Sequence, residues 1–349
     1  MNTVKRIAVV ALTENGVLLA KEVNQHMHCD IYVGDKIAQQ GTENLKPTFQ
    51  EGMKQLFQTY DALVCIMATG IVVRTLAPYI TDKLSDPAVV VMDEKAKHVI
   101  SLLSGHIGGA NELTSKLAKL LHSDPVITTA TDVQEVAALD NIAQKIDARI
   151  PNFRENVKLV NGLLASNKRV GLYNDTEYDV DSRGFIIIDE LDEVPKDIEA
   201  LVYIGDRLSL QEFNIPKIIK VVPKTRILGI GCKKNTDFNK MRIAFSMFCE
   251  KWDIDPHAFH TIVSIDVKQD EPAIKKLAEI MDCEFHTYTA SQLETVSYHY
   301  PVSDFVQKTV GVGNVALSSV HLACDGNVLT DRYIWEGMTM AMGYAKYNQ

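Results

Sequence analysis

The chain has 349 residues, 46% of them hydrophobic, which allows two or three domains at roughly 100 to 200 residues each. A net charge of -9 with no lysine or arginine run argues against a nucleic-acid partner, and no apolar segment approaches the roughly 20 residues that cross a bilayer. Residues 1–11 lack a signal-peptide cleavage pattern and the six cysteines include no C-x-x-C pair, so a cytoplasmic protein with free, mostly buried thiols and no zinc knuckle or disulfide framework is expected.

From the N-terminus, strand-like runs at 7–11, 63–67, 89–92, 99–103 and 126–128 alternate with helical ones, the pattern of a βα-type parallel or mixed sheet over residues 1–137. His26-Met27-His28-Cys29, taken as a strand, places two histidines on one face, but with no second ligand pair it fits packed or solvated side chains better than a metal site. Thr48 is positioned to cap a helix, with Glu51 three residues on to complete a capping box ahead of Met53, Leu56 and Phe57.

Three of these strands run into polar turns. The first turn, Ala68-Thr69-Gly70-Ile71-Val72-Val73-Arg74, ends in a cation placed either to pair with Asp82 or Asp86 or to bind a ligand carboxylate. The second, Ser104-Gly105-His106-Ile107-Gly108-Gly109-Ala110-Asn111, joins a strand to a helix that carries Leu113, Leu117 and Leu120. Its glycines let backbone approach a ligand, the first N–H groups of the helix are donors for an anion, and His106 supplies a group that titrates near neutrality. The third is Thr128-Thr129-Ala130-Thr131-Asp132. In a parallel sheet, loops leaving the carboxyl ends of strands share one edge, so the three turns are expected to converge on one crevice.

Residues 138–222 are more acidic and less punctuated by glycine, with a helix at 154–165 and strands at 170–173, 185–188 and 201–204, a second small α/β unit. Pro223-Lys224-Thr225 marks a linker, and residues 223–349 form a third α/β unit. It opens with a strand into Gly229-Ile230-Gly231-Cys232-Lys233-Lys234-Asn235-Thr236, a glycine turn that could hold an anion ahead of a helix capped by Thr236 or Asp237. Cys232 is expected as a small packed residue rather than a nucleophile. Strands at 261–265 and 328–330, helices at 271–281 and 315–324, and the alternating Met338, Met340 and Met342 complete this unit. The fold class is α/β, three units with parallel or mixed sheets.

With these residues in view, the chain resembles the CbiG family of the anaerobic cobalamin pathway, the cobalt-precorrin-5A hydrolases. The resemblance runs through MATGIVVR (67–74), DPAVVVMDE (86–94), LLSGHIGGAN (102–111) and PVITTATD (125–132), and continues in LGIGCKKNT (228–236), SIDVKQDEP (264–272) and VSDFVQKTVGV (302–312). Two places depart from the family pattern: Leu317 stands where a glutamate is usual, and Asp331-Arg332 where a lysine is.

The resemblance implies a hydrolase that opens a δ-lactone on a cobalt-containing tetrapyrrole and releases acetaldehyde. Cobalt arrives within the substrate, so no cofactor or protein metal site is expected, and partners are the tetrapyrrole and, transiently, other enzymes of the pathway. The substrate's carboxylates give cations such as Arg74, Lys233, Lys234 and Lys268 a task, with Thr69, Gly70, Thr129 and Gly231 on the accompanying turns. Lactone opening needs an activated water and donors for an oxyanion. The expectation is that His106 is the general base, that N–H groups from Gly105 through Gly108 and Gly109 hold the oxyanion, and that Ser104 or Asn111 orients water or substrate. Asp93, Glu94 and Asp132 are the acidic candidates to orient the imidazole, each with a turn or cap role as its alternative. A non-catalytic carrier of the corrinoid intermediate is the competing function, favoured by the Leu317 departure, and an anion-binding regulator is a third.

Overall fold

The computed structural model describes residues 6–210 and 217–345. Two compact units emerge, one made of the chain through Ile142 together with Leu164–Asn167, the other of Ala143–Leu163 and the chain from Lys168 onward.

The first unit contains β1 (Ile7–Ala11), α1 (Glu14–His26), β2 (Asp30–Val33), β3 (Glu43–Asn44), α2 (Phe49–Thr59), β4 (Ala62–Ile66), α3 (Thr69–Leu76), β5 (Ala88–Met92), β6 (His98–Leu103), α4 (Ala110–Leu121), β7 (Asp124–Val126), α5 (Ala130–Val133) and α6 (Leu139–Lys145). Its seven-stranded sheet has the order β3-β2-β1-β4-β5-β6-β7. The central strands are continuous apolar runs because both faces are covered. Val9, Ala11, Val64, Ile66, Val90 and Met92 pack with Val17, Ala20 and Val23 of α1 and Leu113 and Leu117 of α4, while the alternate residues Ala8, Val10, Leu63, Cys65, Val89 and Val91 pack with Met53, Leu56 and Phe57 of α2 and Val72 and Leu76 of α3.

Strand direction decides the rest. β1 through β5 are mutually parallel, but β6 runs antiparallel to β5, and β7 is parallel to β6. The turns after β6 and β7 therefore leave from one edge of the sheet and the turn after β4 from the other. The convergence expected of three turns holds for two.

Local expectations need several corrections. His26 ends α1 rather than entering a strand, and Cys29 is buried with its N–H donating to Asn24 Oδ1. Thr48 does cap α2, but its hydroxyl both accepts from the Glu51 N–H and donates to the Glu51 carboxylate, so the side-chain arm of the capping box is not the reciprocal one. Thr69 and Gly70 form the first turn of α3 rather than a loop, and β7 ends at Val126, where 126–128 was expected as strand.

The second unit holds β8 (Ala148–Arg149), α7 (Phe153–Ala165), β9 (Val170–Asn174), β10 (Ile186–Ile187), β11 (Ala200–Ile204) and β12 (Ile218–Pro223), in a five-stranded sheet of order β10-β9-β11-β12-β8 with β8 alone antiparallel. It continues with β13 (Arg226–Gly231), α8 (Phe238–Lys251), β14 (Phe259–Ile265), α9 (Pro272–Met281), β15 (Glu284–Tyr288), α10 (Ala290–Ser297), α11 (Asp304–Val310), α12 (Ala316–Ala323), β16 (Tyr333–Trp335) and β17 (Met338–Tyr344). The last five strands form a mixed sheet, β15-β14-β13-β17-β16. Met338, Met340 and Met342 all point into its core, as their alternation predicts. The Pro223-Lys224-Thr225 stretch expected as a linker is a tight link between β12 and β13: Thr225 is buried and Lys224 pairs with Asp147 at 3.4 Å. Residues 328–330 make an isolated bridge to Gly343 rather than a strand. All six cysteines are free. Among the described residues no helix is long and apolar enough to cross a membrane.

Candidate active site

The turn after β6 depends on its glycines. Ser104 adopts the left-handed conformation at φ 57° and Gly109 does so at φ 87°, just before α4. A Cβ on Gly108 would lie 2.3 Å from the Ser104 Cβ, and one on Gly105 would lie 2.8 Å from Asn111 Oδ1. The turn closes on itself: the N–H of Gly109 donates to His106 O at 2.9 Å, that of Ala110 to Ser104 O at 3.1 Å, and that of Asn111 to Gly105 O at 3.0 Å. These donors, which sequence reasoning offered to an oxyanion, are thus engaged within the chain. The N–H groups of Gly105 and His106 donate to no acceptor among the described residues.

His106 projects from this turn between two carboxylates. Its Nδ1 lies 3.2 Å from Asp140 Oδ2 at the start of α6, and its Nε2 lies 3.2 Å from Asp132 Oδ2 and 3.1 Å from Thr131 Oγ1 on α5. Side-chain exposure is 2% for Asp140, 16% for His106 and 40% for Asp132, so the three run in order from the interior to solvent. The hydrogen bond to Asp140 raises the imidazole above its ordinary pKa; burial opposes this, and the charges of Asp140 and Asp132 reinforce it. The raised pKa extends to higher pH the range in which His106 carries a second proton.

Asp132 belongs to a network of its own. The buried Asn111 amide donates from Nδ2 to Asp132 Oδ2 at 3.0 Å and to Thr129 Oγ1 at 2.9 Å, and its Oδ1 accepts from Ser101 Oγ at 2.6 Å. Thr129 Oγ1 donates in turn to Asp132 Oδ2. Three donors thus hold one carboxylate oxygen, while Oδ1 accepts no hydrogen bond among the described residues and the side chain is 40% exposed. The Asn111 side chain thus bonds Ser101, Thr129 and Asp132 at once. Ser104 Oγ makes no hydrogen bond among the described residues, and its residue is half-buried on the same turn.

The other expected residues lie elsewhere. Asp93 accepts from the N–H groups of Lys95 and His98, and Glu94 accepts from Thr13 Oγ1, all beyond the far end of β5 from His106. Thr69, Gly70 and Arg74 share that far edge, separated from the His106 edge by the five-residue strands, about 13 Å at 3.3 Å per residue. Arg74 is exposed, its guanidinium stands over Gly70, and it pairs with neither Asp82 nor Asp86. Asp86 instead binds Thr81 and the N–H of Asp82.

In the second unit, Gly231 ends β13 and is followed by exposed Lys233 and Lys234. The anion place ahead of α8 is filled from within: buried Glu271 accepts from the N–H groups of Asn235 at 3.1 Å and Thr236 at 3.0 Å, and pairs with Lys268 at 3.4 Å. Lys268, expected to bind substrate, neutralises this carboxylate. Burial pushes the Cys232 thiol up against the opposing charge of Lys268, in keeping with a packed residue. Leu317 lies in the core with Ile227, Val263, Val320 and Ala341.

Sequence reasoning missed Asp140, Thr131, Ser101 and Glu271. The usable signal for Asp140 was a carboxylate inside the run Val136-Ala137-Ala138-Leu139-Asp140-Asn141-Ile142-Ala143, where every other residue but Asn141 is apolar and buried. Among the described residues no group of three or more histidine, cysteine, aspartate or glutamate side chains is arranged to hold a metal ion.

Residues 51–132 match the family described as Cobalamin synthesis G N-terminal, and residues 226–343 match Cobalamin synthesis G C-terminus. A cobalt-precorrin-5A hydrolase of Salmonella typhimurium is 43% identical over 99% of this chain and 100% of its own length. One from Priestia megaterium is 29% identical over 88% of this chain and 86% of its own. Among solved structures, a cobalamin biosynthesis protein G homolog from Sulfolobus solfataricus aligns over 99% of both chains at 21% identity, with a TM-score of 0.39.

Proposed function

The chain belongs to the CbiG family, the cobalt-precorrin-5A hydrolases of cobalamin biosynthesis, and we propose that its reaction runs at the turn around His106. The observation that carries this assignment is the half-buried imidazole of His106 set between Asp132 and Asp140. The Oδ1 atom of Asp132, which accepts no hydrogen bond among the described residues, is the base for the attacking water and His106 is the acid for the leaving oxygen.

Water adds to the lactone carbonyl and gives its proton to Asp132 Oδ1. The oxyanion faces the N–H groups of Gly105 and His106, with Ser104 alongside. When the tetrahedral intermediate collapses, the ring carbon–oxygen bond breaks and the departing alkoxide takes the Nε2 proton of His106. His106, now neutral, is the base that removes the proton from the resulting hydroxyl. The carbon–carbon bond then breaks, acetaldehyde leaves, and the electron pair passes into the macrocycle. The substrate is a cobalt-containing corrinoid whose carboxylates suit exposed cations; in the second unit, Lys268 is committed to Glu271.

The test is anaerobic incubation with cobalt-precorrin-5A, following acetaldehyde by a coupled reduction and the macrocycle by mass. Release by the wild-type chain that His106→Ala abolishes with the fold intact supports the assignment. Binding of the macrocycle without release by the wild-type chain would instead identify a carrier.

A further inference from the structure

We infer that Asp140 is a positioning residue for this reaction, holding the His106 ring with Nδ1 turned inward and Nε2 turned to the Asp132 side. The inference rests on the proposal that His106 is the acid and base of the site.

Asp140 is 34 residues from His106 in sequence and reaches it through the fold alone. Its side chain is 2% exposed, so its carboxylate is withdrawn from substrate and solvent, and its role can only be exerted through a neighbour. Oδ2 stands 3.2 Å from His106 Nδ1. As the ionised partner of the imidazole, Asp140 accepts from Nδ1–H, which leaves Nε2 as the nitrogen that exchanges its proton. The groups facing the ring are few: Asp140 from α6, and Asp132 and Thr131 from α5. The two carboxylates differ in office because they differ in depth. Asp132 has an oxygen left for water; Asp140 fixes the tautomer and balances the charge of the imidazolium.

A merely structural Asp140 would also compensate charge, so the decisive readouts are kinetic and spectroscopic. Asp140→Asn keeps the shape and removes the charge. Expected results are a fall in kcat of about 10²- to 10⁴-fold with KM nearly unchanged, the size of effect seen when a histidine loses its orienting carboxylate, and a shift of the His106 limb of the pH–rate profile to lower pH. Asp140→Glu restores part of kcat. A second measurement needs no variant and no substrate: ¹⁵N shifts of His106 in the wild-type chain above its titration should report the Nδ1-protonated tautomer. Unchanged kcat and an unmoved limb in a folded Asp140→Asn, while His106→Ala is inactive, would overturn the inference and leave the site standing; so would the Nε2-protonated tautomer. Full turnover by His106→Ala would overturn both.

Discussion

Asn111 and Asp132 are joined by a 3.0 Å hydrogen bond from the Asn111 amide to Oδ2, the same oxygen that faces His106 Nε2. Asn111 lies in the first turn of α4 and Asp132 in α5, so the bond ties together the helices that follow the two converging turns. Asn111→Ala should release Asp132 and lower kcat about tenfold to a hundredfold, the usual effect of removing a supporting hydrogen bond behind a reacting group. Asn111→Asp should be worse, because it sets two carboxylates against each other at this distance. Steady-state acetaldehyde release decides it, and equal activity of Asn111→Asp and wild type would show that Asp132 needs no anchor.

Arg74 offers the opposite expectation. It lies on the edge of the first sheet away from His106, because β6 runs against β4 and β5. Arg74→Ala should therefore leave kcat at saturating substrate within about threefold of wild type, whatever happens to KM, since a residue remote from the reacting atoms contributes at most uniform binding. A loss of kcat comparable to that of His106→Ala would contradict this separation.

Stability should depend on pH through His106. Its folded pKa is raised above the ordinary 6.5 by the hydrogen bond to Asp140, so the protonated ring stabilises the fold in full below the ordinary value. That contribution fades as pH rises through the higher folded-state value. Urea unfolding at about pH 6 and about pH 9 should show a larger advantage of wild type over His106→Gln at the lower pH. The reverse order would mean that the ring is held neutral.

Asp255 supplies the acid-side counterpart. Burial pushes its carboxyl up, but hydrogen bonds from His257 and Lys220 outweigh this and bring it down to about 2. A lowered carboxylate pKa gives stability that is present above the ordinary value of 3.8 and is lost as pH falls toward about 2. Asp255→Asn should reduce stability at neutral pH and flatten its acid dependence between about pH 4 and pH 2, as measured by chemical unfolding. Identical acid profiles in the two proteins would count against the Lys220 and His257 contacts.

The glycine turn can be tested by volume alone. A methyl at Gly108 would meet the Ser104 Cβ at 2.3 Å and its carbonyl oxygen at 2.7 Å, neither of which is the far end of a flexible side chain. Gly108→Ala should destabilise the first unit by about 1–3 kcal/mol, the cost of overpacking, and lower activity with it. A melting temperature equal to that of wild type would show that the turn has room it does not display.

Much of this site is written locally. The apolar run of β6, the glycines after it and the spacing of Leu113 and Leu117 specify a strand, a turn and a helix at that point, and a histidine in such a turn is a chemical signal without any knowledge of neighbours. The same is true of β1, β4 and β5, whose unbroken apolar runs announce strands covered on both faces. The family resemblance rests on the same segments.

Direction was not legible, and direction settled which residues share the site. A strand's alternation of side chains is the same whether it lies parallel or antiparallel to its neighbour, so nothing in Val99-Ile100-Ser101-Leu102-Leu103 betrays that β6 reverses the sheet. That reversal removed Thr69, Gly70 and Arg74 from the edge of His106 and left Thr129 and Asp132 beside it. Asp140 and Glu271 were hidden for a related reason: each is a carboxylate near a helix start, where solvent-facing acids are common, and only burial and the approach of a distant donor distinguish them. The sequence by itself determined the elements and the chemistry they carry; the tertiary structure decided which of them meet, because proximity across a sheet depends on strand order and direction, and neither is a property of the local chain.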